Sequence, residues 1–236
     1  MTEELFRNDS YLRECQAVVT GVDERGIQLD KTVFYPTGGG QPGDTGSLVL
    51  ADGSRVAITN TVKDRESGDL LHLPAEDSAL PEVGQPVTAV IDWDRRYRLM
   101  RMHSAMHVLC SLIDGGVTGG SVGTDRSRID FDLAESPDKA ELEARINRLI
   151  SEGHAVEIGS ISDEELEANP ELIRTMSVKP PMGAGQVRTV RIQNVDYQPC
   201  GGTHVRSSSE IGAIRVGKIE KKGRQNRRIN IHLVDE

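Results

Sequence analysis

R-M-H-S-A-M-H-V-L at residues 101–109 and Q-P-C-G-G-T-H-V at residues 198–205 decide how the rest of the chain is read. Met100, Ala105, Met106, Val108, Leu109 and Leu112 surround the first pair of histidines with good helix formers and neither Pro nor Gly. That predicts a helix in which His103 and His107, at i and i+4, share one face. In the second stretch Gly201 and Gly202 lie between Cys200 and His204, which suits a tight turn folding thiolate and imidazole toward one point. Taken singly each half is weak, because two histidines one turn apart are often the polar edge of a buried helix. Together His103, His107, Cys200 and His204 make a donor set of three nitrogens and one sulfur, which predicts one zinc ion per chain in tetrahedral geometry. Ser104 follows His103 and no glutamate lies between the histidines, so the general base of an H-E-x-x-H peptidase is missing.

A chain of 236 residues with 36% hydrophobic content can form one large domain or two small ones and reads as soluble and globular. No apolar run approaches the ~20 residues of a membrane span. The opening M-T-E-E-L-F-R-N-D lacks the basic and apolar regions of a signal peptide, so a cytoplasmic location and no membrane association are expected. Cys15, Cys110 and Cys200 are odd in number and widely spaced, which argues against a disulfide framework and leaves Cys15 and Cys110 as ordinary buried thiols. The net charge of −9 argues against indiscriminate coating of nucleic acid. Near the C-terminus the sign reverses: Arg215, Lys218, Lys221, Lys222, Arg224, Arg227 and Arg228 are opposed only by Glu220. That run is either a phosphate-binding surface or the solvated edge of a strand pair.

Working outward, residues 16–29 read as a hairpin, and Lys31–Val49 as strand, glycine-rich loop, strand. The loop lacks the G-K-[ST] ending and following helix of a phosphate-binding loop, so nucleotide hydrolysis is not expected. Its glycines Gly38, Gly39 and Gly40 either supply positive φ between strands or present backbone for close approach of a ligand. R-V-A-I-T-N-T-V, D-L-L-H-L and Q-P-V-T-A-V-I-D-W follow at short intervals, the pattern of a small β-barrel over residues 1–93, with His72 structural or at the surface. A boundary is expected near Asp92–Arg96. In residues 94–236 the metal helix leads into a glycine-rich turn, D-G-G-V-T-G-G-S-V-G-T-D-R, and the strand S-R-I-D-F-D-L. Ser136 is expected to cap a helix with Pro137 at its first position and a stripe of Leu142, Ile146, Leu149 and Ile150. Ser162 with Glu165 reads as a capping box for D-E-E-L-E-A, and Pro170 either interrupts that helix or starts the next turn. The last third is β-rich. The fold class is therefore α+β: an N-terminal small β-barrel followed by an α+β sandwich holding the zinc site.

These motifs assemble into a resemblance. R-M-H-S-A-M-H-V-L, D-R-S-R-I-D-F-D, Q-P-C-G-G-T-H-V and K-I-E-K-K-G-R-Q-N-R-R-I together resemble the editing domain of alanyl-tRNA synthetase. F-Y-P-T-G-G-G-Q-P-G-D-T-G resembles the glycine-rich motif that precedes it in the stand-alone alanyl-tRNA editing proteins, the AlaX family. The likeness spans nearly the whole chain, includes no aminoacylation domain, and is nearest the medium-length type; Ser104 stands where many relatives carry Thr. It implies a trans-editing aminoacyl-tRNA deacylase that hydrolyses Ser-tRNA(Ala), with Gly-tRNA(Ala) a further substrate, and spares Ala-tRNA(Ala). By position His103, His107, Cys200 and His204 carry over as zinc ligands and as the catalytic constellation. The implied partner is the acceptor arm of tRNA(Ala) carrying a non-cognate amino acid; the sequence leaves the oligomeric state open, with a monomer favoured. Serine differs from alanine by one hydroxyl, which a plain apolar pocket discriminates poorly, so a polar partner is required and Thr118 in V-T-G-G-S is the candidate. Gly38, Gly39, Gly40 and Gln41 are candidate substrate contacts, and Lys218, Lys221, Lys222, Arg224, Arg227 and Arg228 candidate RNA contacts. No Asp or Glu in the metal motifs is an evident general base, which leaves bound water or a hydroxyl of the terminal ribose. Two other readings stand beside this one: a zinc-stabilised RNA-binding module without catalysis, and a hydrolase of another small ester or amide.

Overall fold

Ala17 and Val19 alternate with more exposed neighbours along Glu14–Asp23, and the same period of two buries Val87, Ala89 and Ile91 along Pro86–Ile91. That period is what a sheet with one wet and one dry face requires. The computed structural model describes residues 2–176, 182–183 and 185–234. The chain divides into two compact units, Met1–Tyr97 and Arg98–Glu236.

In the first unit two short strands, β1 (Glu3–Glu4) and β4 (Lys31–Thr32), pair in parallel. Six longer ones, β2 (Glu14–Asp23), β3 (Gly26–Leu29), β5 (Gly46–Leu50), β6 (Arg55–Lys63), β7 (Leu70–Pro74) and β8 (Pro86–Ile91), close into a barrel in the order β2-β3-β7-β6-β5-β8. Closure leaves no free edge among these strands. Ile27, Leu29, Phe34, Leu48, Val56 and Ile58 fill the interior with the inward residues of β2 and β8. His72 is structural, as one of the two expectations had it. Its Nδ1–H donates to the Ile27 carbonyl at 3.0 Å, its Nε2 accepts from the Thr32 hydroxyl at 2.8 Å, and burial pushes its pKa down to about 4. The ring is therefore neutral.

Gly38–Gln41 forms a tight turn in which Gly38 and Gln41 exchange backbone hydrogen bonds of 3.0 and 2.9 Å. Its two central residues, Gly39 and Gly40, have φ of 56° and 79°, which is why glycines stand there. Three residues on, Asp44 is buried against Arg96, whose side chain has no exposed surface. Arg96 also donates to the Ser10 and Val33 carbonyls at 3.0 and 2.7 Å, and Asp44 accepts the Tyr35 N–H at 2.6 Å. Both charges thus sit among several hydrogen-bond partners, the condition under which a buried ion pair is tolerated.

Helix α1 (Trp93–Ser111) crosses the division, so Arg96 belongs to the first unit and the histidines to the second. The second unit contains a four-stranded antiparallel sheet of β9 (Val117–Ser121), β10 (Arg126–Asp132), β14 (Ile214–Gly223) and β15 (Asn226–Leu233), in the order β14-β15-β10-β9. A three-stranded antiparallel sheet holds β11 (Val156–Ser162), β12 (Gln186–Ile192) and β13 (Asp196–Pro199). With helices α2 (Lys139–Ser151) and α3 (Asp163–Ala168) the organisation is α+β. No helix among the described residues is long and apolar enough to cross a membrane.

Three local expectations are corrected. Ser136 is not the cap of α2: Asp138 is, accepting the Glu141 N–H at 2.8 Å, and its carboxylate also complements the helix dipole. Leu149 is only partly buried, leaving Leu142, Ile146 and Ile150 as the stripe. The glycine-rich turn after α1 contains the strand β9, because pairing with β10 outweighs the low strand propensity of Gly119 and Gly120. Ser162 does cap α3, accepting from the Glu165 N–H at 3.1 Å, and Pro170 opens a 3-10 turn after it ends.

Candidate metal centre

On α1 the two imidazoles stand one turn apart, ring centroids 5.4 Å from each other, amid buried Leu99, Met100, Met102, Ala105, Met106 and Val108. Only 6% of His103 and 5% of His107 is exposed, so neither ring is a solvated surface histidine. Strand β13 ends at Pro199 and hands over to Cys200. The backbone of Cys200 is gripped by Arg188 on β12, whose carbonyl accepts the Cys200 N–H at 3.1 Å and whose Nη1 donates to the Cys200 carbonyl at 2.6 Å. The glycine turn then brings the His204 ring to 4.4 Å from His103 and 4.6 Å from His107, centroid to centroid.

The four donor atoms lie within 4.8 Å of one another. Cys200 Sγ is 3.7 Å from His103 Nε2 and 3.3 Å from His204 Nε2. A tetrahedral ion with bonds of about 2.0–2.1 Å to nitrogen and about 2.3 Å to sulfur separates N from S by about 3.6 Å. The two distances bracket that value, so the residues fit a metal ion as they stand.

Polar neighbours hold the rings in place. Asp196 Oδ2 accepts from His107 Nδ1 at 2.8 Å with both side chains 6% exposed, and Gln198 Nε2 donates to the same carboxylate oxygen at 2.8 Å. Ser104 Oγ lies 3.1 Å from His204 Nδ1 and accepts the Val205 N–H at 3.3 Å. With Nδ1 thus engaged, His107 and His204 present Nε2 to the cluster. The charges agree. Burial alone would raise the Cys200 thiol, but His103 and His204 hold it well below the ordinary thiol value, which favours the thiolate that a metal needs. Burial likewise depresses His107, yet Asp196 and Cys200 raise it to about 10; burial and His103 push His204 down to about 3. Burial pushes Cys110 up to about 12, leaving it an inert thiol.

Asp196 and Gln198 went unnoticed in the sequence although a signal was present. In an extended strand residues 196, 198 and 200 share a face, so the two polar side chains preceding Cys200 point where its thiolate points.

The remaining candidates are dispersed. Thr118 is the extra residue of a β-bulge between the pairs Phe131–Val117 and Asp130–Gly119; its hydroxyl donates to the Asp130 carbonyl at 3.2 Å and accepts from Asn226 Nδ2 at 3.3 Å. Asn226 Oδ1 is buried with no hydrogen-bond partner among the described residues. Gly38–Gln41 belongs to the barrel unit, with Gly39 and Gly40 exposed; Gln41 is 0% exposed, so the expectation of a substrate contact by its side chain is corrected. The basic run lies on the β14–β15 hairpin, and the structure separates its members. Arg227 is 4% exposed and donates to the carbonyls of Gly223, Asn226 and Ala134, so it is a structural cation and the expectation of an RNA contact there is corrected. Arg228 is held by both oxygens of Asp130 at 2.8 Å, and Lys222 pairs with Glu220 at 2.7 Å. Lys218, Lys221 and Arg224 are exposed.

Barrel and metal-binding unit both have counterparts among the aminoacyl-tRNA synthetases. Residues 6–95 match the family described as tRNA synthetases class II (A), and residues 187–230 the threonyl and alanyl tRNA synthetase second additional domain. The chain is thus built from synthetase-type modules. It is 40% identical over its whole length to the whole of the alanyl-tRNA editing protein AlaX-M of Methanosarcina acetivorans. It is 36% identical to the AlaX-M of Saccharolobus solfataricus, covering 97% of this chain and 98% of that one. An alanine–tRNA ligase of Pyrobaculum aerophilum shares 35% identity with 93% of the chain, which spans 25% of the ligase. The chain belongs to the alanyl-tRNA editing protein family, of the AlaX-M type.

Proposed function

We propose that this protein is a zinc-dependent aminoacyl-tRNA deacylase that hydrolyses Ser-tRNA(Ala), and Gly-tRNA(Ala) with it, while sparing Ala-tRNA(Ala), acting as a monomer in the cytoplasm. The observation that carries the reading is the buried His103–His107–Cys200–His204 cluster in a chain related end to end to alanyl-tRNA editing proteins. In the overall reaction a water oxygen bonds to the seryl carbonyl carbon, the bond to the ribose oxygen breaks, and that oxygen takes up a proton, leaving serine and uncharged tRNA. A zinc ion in this donor set supplies Lewis-acid polarisation and orientation at the ester.

The chain's own residues supply the rest. His107 is aimed by Asp196 and His204 by Ser104, so the cluster is preorganised. Asp196 is committed to His107 and Gln198, which makes it a positioning residue rather than a general base; water or the terminal ribose hydroxyl remains the proton carrier. Selectivity for serine rests on Thr118 together with Asn226. The hydroxyl proton of Thr118 is already given to Asp130 and Asn226 Nδ2 orients the oxygen, so Thr118 Oγ1 accepts the single proton that a serine hydroxyl donates and alanine lacks. Gly39 and Gly40 present exposed backbone to the acceptor end, and Lys221 and Arg224 at the hairpin tip contact phosphates. The test is deacylation of Ser-, Gly- and Ala-tRNA(Ala) by metal-replete and chelated protein, with Thr118→Val alongside. Loss of activity on chelation and a lower serine-over-alanine ratio in the variant are expected; an unchanged ratio in folded, metal-loaded Thr118→Val refutes its role.

A second reading draws on the same geometry: four protein donors complete a tetrahedral set, so the metal fastens α1 to the turn after β13 in an RNA-binding module without catalysis. Tight tRNA binding by metal-replete protein that turns over no aminoacyl-tRNA favours it.

A further inference from the structure

Arg215 on β14 is the register partner of His232 on β15, and His232 is in turn the partner of Arg126 on β10. Partners across antiparallel strands project to the same face, so these three side chains form a row across the sheet. The next row, Val216, Ile231 and Ser127, is buried on the opposite face. Over the Arg215 and His232 end of this row opens a cleft of about 660 Å³ lined by Pro137, Lys139, His232 and residues 215–219 of β14, with no acidic side chain among the described lining residues; Arg126 stands outside this lining, one strand beyond His232.

Gly217 shapes its floor. A Cβ there would meet His232 Nε2 at 2.7 Å and Cδ2 at 3.0 Å, so the imidazole lies flat against the strand only because the residue is glycine. Charge is distributed unevenly over this sheet face. Arg128 and Arg228 are neutralised by Asp130 and Lys222 by Glu220, whereas Arg126, Lys139, Arg215 and Lys218 form no ion pair within 4 Å among the described residues, Lys218 acting on Glu220 only at longer range. Burial and the charges of Arg215, Arg126 and Lys139 hold His232 below its ordinary value, as expected where cations crowd without an anion. In a chain of net charge −9 this is a local inversion of sign.

We propose that this cleft is a phosphodiester-binding site for duplex RNA, with Arg126 and Arg215 clasping the backbone across His232 and Lys139 and Lys218 closing on the neighbouring phosphates. The two arginines are two strand spacings apart, about 10 Å at the backbone, a span their long side chains close onto adjacent phosphates. The choice of RNA over another polyanion rests on the deacylase reading above; the site itself is distinct from the hairpin tip carrying Lys221, Lys222 and Arg224.

The experiment compares wild type with Arg126→Gln/Arg215→Gln and with Lys139→Gln/Lys218→Gln, all surface exchanges. Affinity for tRNA(Ala) and for an RNA hairpin of unrelated sequence is read by fluorescence anisotropy across a salt series. Metal content and hydrolysis of a seryl ester of adenosine, which has no duplex, are measured in parallel. Each double variant should bind both RNAs at least tenfold more weakly at low salt, with the slope of log affinity against log salt shallower by roughly 0.9 per lost contact, and with metal and small-ester hydrolysis unchanged. Wild-type slopes in both variants overturn the cleft, as does a wild type that binds neither RNA. Salt-dependent RNA binding lost in the variants, in a protein that hydrolyses no aminoacyl-tRNA, upholds the cleft and sinks the deacylase. Editing by wild type and variants alike, with equal slopes, does the reverse.

Discussion

Replacing Asp196 by Asn removes the carboxylate that aims His107 while keeping the shape of the side chain. The bond is 2.8 Å long with both partners 6% exposed, so solvent screens it little. Asp196 stabilises positive charge on the far side of the imidazole: one unit when His107 is protonated, two when a divalent ion is bound. Removing it weakens both states, and the metal-bound state loses more. Loss of such a supporting carboxylate lowers metal affinity by roughly 10–100-fold, or about 1.4–2.8 kcal/mol. Asn still accepts from Nδ1, which places Asp196→Asn at the lower end and Asp196→Ala, which also strands the Gln198 amide, at the upper. Competition against a chromophoric chelator at fixed pH measures the constants, with circular dichroism as the control for folding. Affinities within twofold of wild type for both variants would refute the argument that Asp196 tunes this centre.

Cys200→Ala should lower zinc affinity further, since it removes the thiolate from the donor set, and equal zinc retention by dialysed variant and wild type sinks the four-ligand assignment. Arg96→Ala should destabilise the first unit by about 3–5 kcal/mol, because it leaves Asp44 charged and buried at 1% exposure, and Asp44→Asn in the same chain should restore part of the loss; a shift in urea midpoint worth less than about 1 kcal/mol speaks against the clamp. For His72 the folded value of about 4 lies below the ordinary 6.5, so the unfolded chain binds the proton first. Its contribution, roughly 3 kcal/mol, is present in full above pH 6.5 and is lost as pH falls through about 4. Wild type should therefore lose more stability than His72→Gln over that window, and parallel losses contradict the assignment. Gly39→Ala, which fits sterically but holds φ of 56°, should cost about 1 kcal/mol in stability, and editing should fall by more than that if the turn presents its backbone to substrate; normal editing makes the turn a plain connector.

Some of this was legible in the chain alone because it depends on short-range geometry. Four residues of helix return a side chain to the same face whatever surrounds it, so His103 and His107 were a pair from the outset, and two glycines let Cys200 and His204 converge. Alternation in β2 and β8 likewise implied strands with one dry face, and short spacing implied a barrel. What the tertiary structure decided are matters of pairing and register. Asp196 reaches His107 across 89 residues, and Ser104, which in sequence only marks the lack of a peptidase base, becomes the support of His204. Thr118 sits in a bulge rather than a loop because β10 pairs past it. The basic run looked uniform in sequence, yet Arg227 faces carbonyls, Arg228 faces Asp130 and Lys218 faces water. Arg126, His232 and Arg215, separated by long stretches of chain, form one row only because three strands align at that register. A charge's availability is set by what stands opposite it across a strand, and register, which one residue of slip would invert, is a property of the whole sheet.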